Sequence, residues 1–498
     1  MNFPLEIGEA AHFVKVREAL SAASFNEAAI CRTLGIARMS DVESVDLTRI
    51  DTSSVPAALP LLLRLFVGQG LVPRTEVERA IDRPTLEAFL KLGILGAGDF
   101  GEDVYARVLL YPVSGFWIAS DRHSHPDGSP FTAAPDIVFP AIFGGTLRFL
   151  SALPSSRAEA ALDLCAGTGI GAFVMSRTST RAVSSDVTER ATHFARFNRA
   201  LNGLGNVDVV RGDLYEAVKG ETFDRIIAHP PYVPSLAVGA IWRDGGMTGE
   251  MLARRIVEGL PAHLRPGGLA CIVSLGPDTA AARYEDRVRG WLGDAQHEFD
   301  VLFAPSSERA QDEMLRSLAE RDPKQGPEGL AKLKAVFEAA EVVTFAHGPL
   351  VIRRRQASAR RQGWTVRVKA SDATDGLDLE RAFILHDRLL DPRFPEALSD
   401  ARVAVAPRLK VKVTHVVKDH ALVPADYVFE TDKPFVARGE VDGWMVPLIA
   451  RLNGMSTPRE VYAKAKADGE LPAGFDLRAF CRLLARMIER GFIDRLTN

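Results

Sequence analysis

Apolar and polar residues change rhythm three times along this chain. Up to about residue 110 the pattern is mostly helical. Leu61–Val67 is apolar except for Arg64. Pro73-Arg74-Thr75-Glu76 predicts a helix start with Thr75 as N-cap, and Asp82-Arg83-Pro84 predicts a second, running through Thr85–Leu92 and stopping at Gly93. Val104–Leu110 and Phe116–Ser120 flank Pro112-Val113-Ser114-Gly115, a hairpin signal. Short helices and a hairpin predict a winged-helix-like domain over residues 1–120. Its third helix carries Glu87 and Lys91 but no arginine, which suits packing against a neighbour better than reading DNA.

From about 121 to 355 short apolar runs alternate with helical stretches. Ala160–Cys165, Arg181–Asp186, Val207–Val210, Phe223–Ala228, Leu269–Leu275, Phe299–Phe303 and Val342–Phe345 read as seven strands. Alternation of this kind predicts an α/β domain whose mostly parallel sheet is covered on both faces. The polar stretch 306–340 reads as a helical pair inserted between late strands, with Asp322-Pro323-Lys324-Gln325-Gly326-Pro327 in its middle. After Arg353-Arg354-Arg355 the run to Lys369 is basic, which marks a domain junction. The remainder, 356–498, predicts an α+β accessory domain. Leu409–Val413 alternates like a strand, and from about 435 the pattern is again winged-helix-like. Thr457-Pro458-Arg459-Glu460 fits a capping box. The last helix, Asp476–Arg490, sets Arg478, Arg482, Arg486 and Arg490 at four-residue spacing. That stripe is either a solvated face or a contact for an acidic or phosphate-bearing partner.

Composition narrows the class. The 498 residues are too many for one core, and 47% hydrophobic with 25% charged residues describes an ordinary globular protein. A net charge of −3 excludes a surface that is basic throughout. Four scattered cysteines without a CxxC pair suit a reducing cytosol and supply no metal cluster. The first residues lack the basic and apolar regions of a signal peptide, and no run is long enough to span a bilayer. The expectation is a cytoplasmic protein without a membrane contact. His123-x-His125, with Asp121 and Asp127, lies in a polar Pro/Gly loop, and no metal is expected there.

The chemistry sits between residues 163 and 249. Asp163-Leu-Cys165-Ala166-Gly167-Thr-Gly169 ends the first strand in a turn that lets a ligand approach the backbone, and the following helix offers free N–H groups to a carboxylate. Gly167-x-Gly169-x-x-Ala172 with Asp186 also satisfies a dinucleotide fingerprint. Three features separate the alternatives. Asp163 stands inside the strand, where a dinucleotide fold places an apolar residue. Asp213 and Leu214 after the third strand suit an adenine, the acid accepting from the amino group and the apolar side chain packing on the ring. His229-Pro230-Pro231-Tyr232 follows the fourth strand. Its two prolines fix the backbone and remove two donors, its carbonyls are expected to face the cofactor mouth, and Tyr232 offers a flat face to a planar acceptor.

On these residues, with Ser185-Asp186, Asn198, Asn202-Gly203 and the later Arg243-Asp244-Gly245-Gly246-Met247-Thr248-Gly249, about half of the chain resembles class I S-adenosylmethionine-dependent methyltransferases. It is most similar to the branch holding protein glutamine-N5 and ribosomal RNA base N-methyltransferases. The resemblance implies a Rossmann-like core and S-adenosyl-L-methionine as cofactor. Asp163, Ala166, Gly167, Gly169, Asp186, Asp213 and Leu214 would bind it, and His229, Pro230, Pro231 and Tyr232 would orient a nitrogen acceptor on a protein side chain, an RNA base or a small natural product. His229 departs from the Asn, Asp or Ser that the branch carries there. A neutral imidazole accepts at one nitrogen only, and it could also act as a base. Long loops at 131–146 (with Asp136) and around Trp242 are expected to line or cover the pocket. The rival of another class is a degenerate scaffold that binds nucleic acid or peptide; a nicotinamide-dependent oxidoreductase stands third.

Overall fold

The computed structural model describes residues 3–45, 56, 58–98, 101–236, 239–321, 326–356 and 362–495, in two compact units. The first comprises 1–301 with 308–365, the second 302–307 with 366–498.

The first unit is built on one large sheet. Seven of its nine strands are β1 (Ala158–Leu164), β2 (Ser179–Asp186), β3 (Val207–Arg211), β4 (Phe223–Ala228), β5 (Leu264–Thr279), β6 (Phe299–Phe303) and β7 (Val342–Arg354). They lie in the order β3-β2-β1-β4-β5-β7-β6. Neighbours from β3 to β5 pair in parallel, and β7 runs antiparallel to β5. The predicted strands are all present; β5 and β7 extend well past their apolar cores. Leu162, Val183, Ile226 and Ile272 are fully buried, as a sheet covered on both faces requires. Strand order reverses between β1 and β4, so the loops after them diverge and open a crevice.

The helices α1 (Gly144–Ser151), α2 (Ile170–Met175), α3 (Glu189–Asn202) and α4 (Met251–His263) accompany this sheet. The predicted insertion forms α5 (Gln311–Arg321) and α6 (Gly326–Ala339), while residues 322–325 of its expected middle lie outside the described residues. Met314, Leu318, Leu333 and Phe337 pack on Leu275 and Phe345, with Tyr232 and Val233 at the margin of the cluster.

The N-terminal segment belongs to the same unit. Two predictions there are corrected. The helix Arg74–Ala80 has Pro73, not Thr75, at its N-cap, because the chain enters from the short strand Leu71–Pro73. The run Val104–Leu110 splits into two strands in different sheets. Asp103–Ala106 joins Leu71–Pro73 and Leu95–Ala97, and Leu109–Val113 pairs with Phe116–Ser120 across the predicted turn. Asp82 caps Arg83–Lys91 as its sequence suggests.

Two asparagines fasten that hairpin to the sheet domain. Asn198 and Asn202 share one face of α3, four residues apart. Asn198 Oδ1 accepts from the Ala119 N–H at 2.8 Å, and its Nδ2 donates to the carbonyls of Ala119 at 2.9 Å and Thr168 at 3.1 Å. Asn202 brackets Trp117 in the same way. Asn198→Ala strands three buried backbone groups, one of them in the glycine turn. We expect a loss of about 2–4 kcal/mol, read from the denaturant midpoint; an unchanged midpoint would refute the role.

The second unit contains a three-stranded antiparallel sheet, Lys410–Lys418, Ala421–Thr431 and Ala437–Val441. The predicted alternation at 409–413 does form a strand, but all nine of its residues are exposed. The capping box at Thr457 forms with Glu460. Leu477–Glu489 buries Phe480, Cys481 and Leu484 and leaves Arg478, Arg482, Arg486 and Arg490 exposed; Arg478 stands 3.7 Å from Glu396. No helix among the described residues is long and apolar enough to cross a membrane.

Candidate active site

The loops that leave β1, β2, β3 and β4 converge on a cavity of ≈ 530 Å³, within the range that holds nucleotide-sized ligands. Asp163, Cys165, Ala166, Gly167 and Thr168 line it from β1, Asp186 from β2, Asp213 and Leu214 from β3, and His229 to Val233 from β4.

Gly167 and Gly169 have φ of +53° and +85°, which turns the chain out of β1 and into α2. Gly169 caps that helix and packs on Phe173 rather than lining the cavity. The structure therefore separates it from the other predicted cofactor positions: it shapes the turn. Cys165 and Leu214 also adopt positive φ, at +56° and +52°. Non-glycine residues held there carry strain, and both of these line the cavity.

Asp186 ties the second strand to the turn. Its Oδ2 accepts from the Gly167 N–H at 3.0 Å and its Oδ1 from Thr188 N–H. Asp163 is buried, and its Oδ2 accepts from the Ala172 N–H in α2 at 2.9 Å. Burial pushes its carboxyl up to about 8, against that hydrogen bond, with the nearby Asp186 charge adding to the rise. A buried acid that has no cation partner among the described residues, at the floor of a ligand-sized cavity, fits a positively charged ligand group. The residues present thus fit S-adenosyl-L-methionine, with an acid for its ammonium, the start of α2 at Ile170 and Gly171 for its carboxylate, and Asp213 with Leu214 for its base. Asp213 is held in place by Arg255, 2.8 Å away.

The opposite wall is aromatic. His229 lies 5.3 Å from Phe149 and 5.8 Å from Tyr232 between ring centroids, and Tyr232 lies 4.9 Å from His347. Burial pushes His229 down to about 4. His347 also falls to about 4, through burial first and then the charges of His229, Arg148, Arg309 and Arg321. Both rings are neutral at pH 7, which leaves each one acceptor nitrogen.

The glycine-rich loop 245–249 lies along the backbone of this wall. A Cβ on Gly245 would come within 2.9 Å of the Pro231 carbonyl, and one on Gly249 within 2.3 Å of the Tyr232 carbonyl. The Pro231 carbonyl therefore packs against this loop, which corrects the expectation that all the diproline carbonyls face the cofactor mouth. Asp244 steadies the same loop by accepting from the Gly239 and Ala240 N–H groups at 2.8 Å.

The two long loops meet over the cavity. Phe139 stacks on Trp242 at 4.6 Å with 7° between the planes, and Ile241 N–H donates to Pro135. Asp136 lines the cavity as well. The His123-x-His125 pair is spent elsewhere: His123 sits 3.2 Å from the Gln69 amide and His125 packs on Phe131. Sequence reasoning missed Phe149, Leu252, Arg321 and His347. Only His347 carried a signal, as a histidine within the apolar run of β7.

Residues 141–290 match the family model described as methyltransferase small domain. A ribosomal protein uL3 glutamine methyltransferase of Bradyrhizobium diazoefficiens is 30% identical over 166 residues, 30% of this chain and 51% of that protein. A release factor glutamine methyltransferase of Xylella fastidiosa is 34% identical over 130 residues, 23% of this chain and 47% of its own length. The chain thus spans about half the length of these relatives. Among solved structures, a ribosomal protein L11 methylase from Lactobacillus delbrueckii subsp. bulgaricus aligns with 43% of this chain and 77% of its own at 15% identity, with a TM-score of 0.25. Strand order, the glycine turn and the matched segment agree: residues 141–290 are similar to the methyltransferase small domain, and the sheet has the fold of a class I S-adenosylmethionine-dependent methyltransferase core.

Proposed function

We propose that this chain is a methyltransferase that transfers the methyl group of S-adenosyl-L-methionine to a side-chain amide nitrogen of a protein. The observation that carries the reading is the single cavity edge shared by Asp163, Asp186 and Asp213 on one side and His229 and Tyr232 on the other. The activities of the two relatives, both protein glutamine methyltransferases, support the acceptor class.

When bound, the cofactor supplies an electrophilic methyl on a sulfonium. The chain's own residues hold and aim. Asp163, Ala166, Gly167, Asp186, Asp213 and Leu214 bind the donor, with Gly169 setting the turn. Pro230 and Pro231 present no N–H donor, so the edge favours an acceptor that itself donates. The neutral His229 ring accepts one hydrogen bond from the amide NH₂, Tyr232 stacks on the amide plane, and the Phe139–Trp242 lid excludes water. Orientation of this kind supplies most of the rate that such a displacement needs. The flanking segments 1–120 and 356–498 are assigned to acceptor selection.

His229→Ala is expected to lower kcat by about tenfold to a hundredfold, the range of one positioning group, with S-adenosylhomocysteine affinity nearly unchanged. The decisive experiment is labelled-methyl transfer to lysate fractions, digested separately with protease and with RNase. Label lost to protease alone is expected. Tight NAD binding without S-adenosylhomocysteine binding would end the reading.

A further inference from the structure

Arginines gather at the acceptor side of the cavity. Arg321, the last described residue of α5, lines the cavity beside the aromatic wall. Arg148 stands on α1 next to Phe149 and one turn beyond Gly145, both of which line the same cavity. Arg309 lies in the strand that precedes α5 and donates to Ser317 Oγ at 3.2 Å. Among the described residues neither Arg148 nor Arg321 has a carboxylate within ion-pair distance, whereas other arginines of this unit, such as Arg74, Arg181 and Arg254, are paired with acids.

The field at the wall agrees. The charges that act on Tyr232 are Arg321 and Arg148; on His347 the permanent charges are Arg148, Arg309 and Arg321. Among the described residues no carboxylate contributes at either position. The donor side is the reverse, with Asp163, Asp186 and Asp213 all lining the cavity. One cavity thus has an acidic half for the cationic donor and a basic mouth at the acceptor wall.

Uncompensated arginines at the rim of a deep slot attract and orient an anion, and they repel a cation through the same contacts. Arg is the side chain suited to a carboxylate, which it can grip through two parallel hydrogen bonds. We infer that the acceptor is an acidic peptide segment, in which the amide to be methylated has a carboxylate side chain within a few residues that docks on Arg148 and Arg321. The inference rests on the amide reading above and goes beyond it by naming the sequence context the acceptor must have. A peptide fits better than an RNA backbone because the arginines cluster at one mouth, beside a slot of aromatic rings, rather than along a track.

The test uses the full chain and three short glutamine peptides that differ only in the residues flanking glutamine: glutamates, alanines or lysines. An oligoribonucleotide of matched charge is the fourth acceptor. The expected order of kcat/KM is glutamate over alanine over lysine, by about tenfold at each step at low salt. In the double variant R148E/R321E the order inverts, so that the lysine peptide becomes the best acceptor. S-adenosylhomocysteine affinity, read in parallel, establishes that the variant is folded, and a single R321Q variant serves if the double variant fails that check: its expected result is a reduced preference for the glutamate peptide. Equal rates for the three peptides, or an order that charge reversal leaves intact, overturn the inference while the amide reading stands. Methylation of the oligoribonucleotide with the peptides ignored overturns both, and so does transfer to none of the four by a protein that binds S-adenosylhomocysteine.

Discussion

Asp163→Asn is expected to weaken S-adenosylhomocysteine binding by about a hundredfold, the loss that accompanies one charge-assisted hydrogen bond of ~2–3 kcal/mol. The carboxyl is buried in β1 and accepts one backbone N–H from α2, and among the described residues no basic side chain acts on it. Its raised value, about 8, means that it holds a proton at neutral pH until a ligand ammonium arrives. The ligand favours the ionised form, so binding below pH 8 releases a proton. Affinity then rises with pH, by at most about tenfold per pH unit, and levels off above 8. The unliganded fold shows the opposite dependence. A folded value raised above the unfolded one, near 4, gives a contribution to stability that is complete below pH 4 and lost as pH rises through 8. The asparagine variant has no such group, so its unliganded stability exceeds the parent's above pH 8 and its residual affinity is flat with pH. Calorimetry in two buffers of different ionisation heat measures the released proton directly. A parent affinity that does not vary between pH 6 and 8 would falsify the assignment.

The parts of the site that were legible in the sequence are those fixed by local backbone requirements. The glycine turn, the acids at the ends of β1 and β2, and the diproline edge depend on residues adjacent in the chain, and the cavity contains them. Gly169 shows the limit even there: the residue pattern marks the position, but only coordinates show that its packing on Phe173 shapes the turn without lining the cavity. The insertion was legible as a helical pair, but not its purpose. That α5 and α6 pack on Leu275 and Phe345 and support Tyr232 depends on contacts between distant parts of the chain, Tyr232 standing more than eighty residues before Met314. Arg321 reaches the cavity for the same reason, and nothing in its neighbours distinguishes it from any helix-end arginine. The misreading at Val104–Leu110 is of another kind. Two short strands of different sheets abut in sequence, and their joint apolar run imitates one strand.

Gly249→Ala should lower kcat by about a hundredfold, the scale of a 1 Å misplacement of a positioning group. Two independent features converge on this glycine. Its φ of +83° is costly for any residue with a Cβ, and that Cβ would stand 2.3 Å from the Tyr232 carbonyl and 3.3 Å from its carbonyl carbon. Backbone cannot yield as a side-chain tip does, so the Pro231-Tyr232 edge must shift toward the cavity. The donor side, from Asp163 to Leu214, is untouched, and S-adenosylhomocysteine affinity should stay within about threefold of the parent. Gly220 supplies the control. It has the same φ, +83°, with nothing within 4 Å of an added Cβ, so Gly220→Ala carries the backbone strain alone, about 1–2 kcal/mol, and leaves kcat intact. The comparison separates strain from displacement: if the two variants lose stability and turnover alike, the loop 245–249 does not hold the acceptor wall, and Tyr232 owes its position to the insertion helices instead.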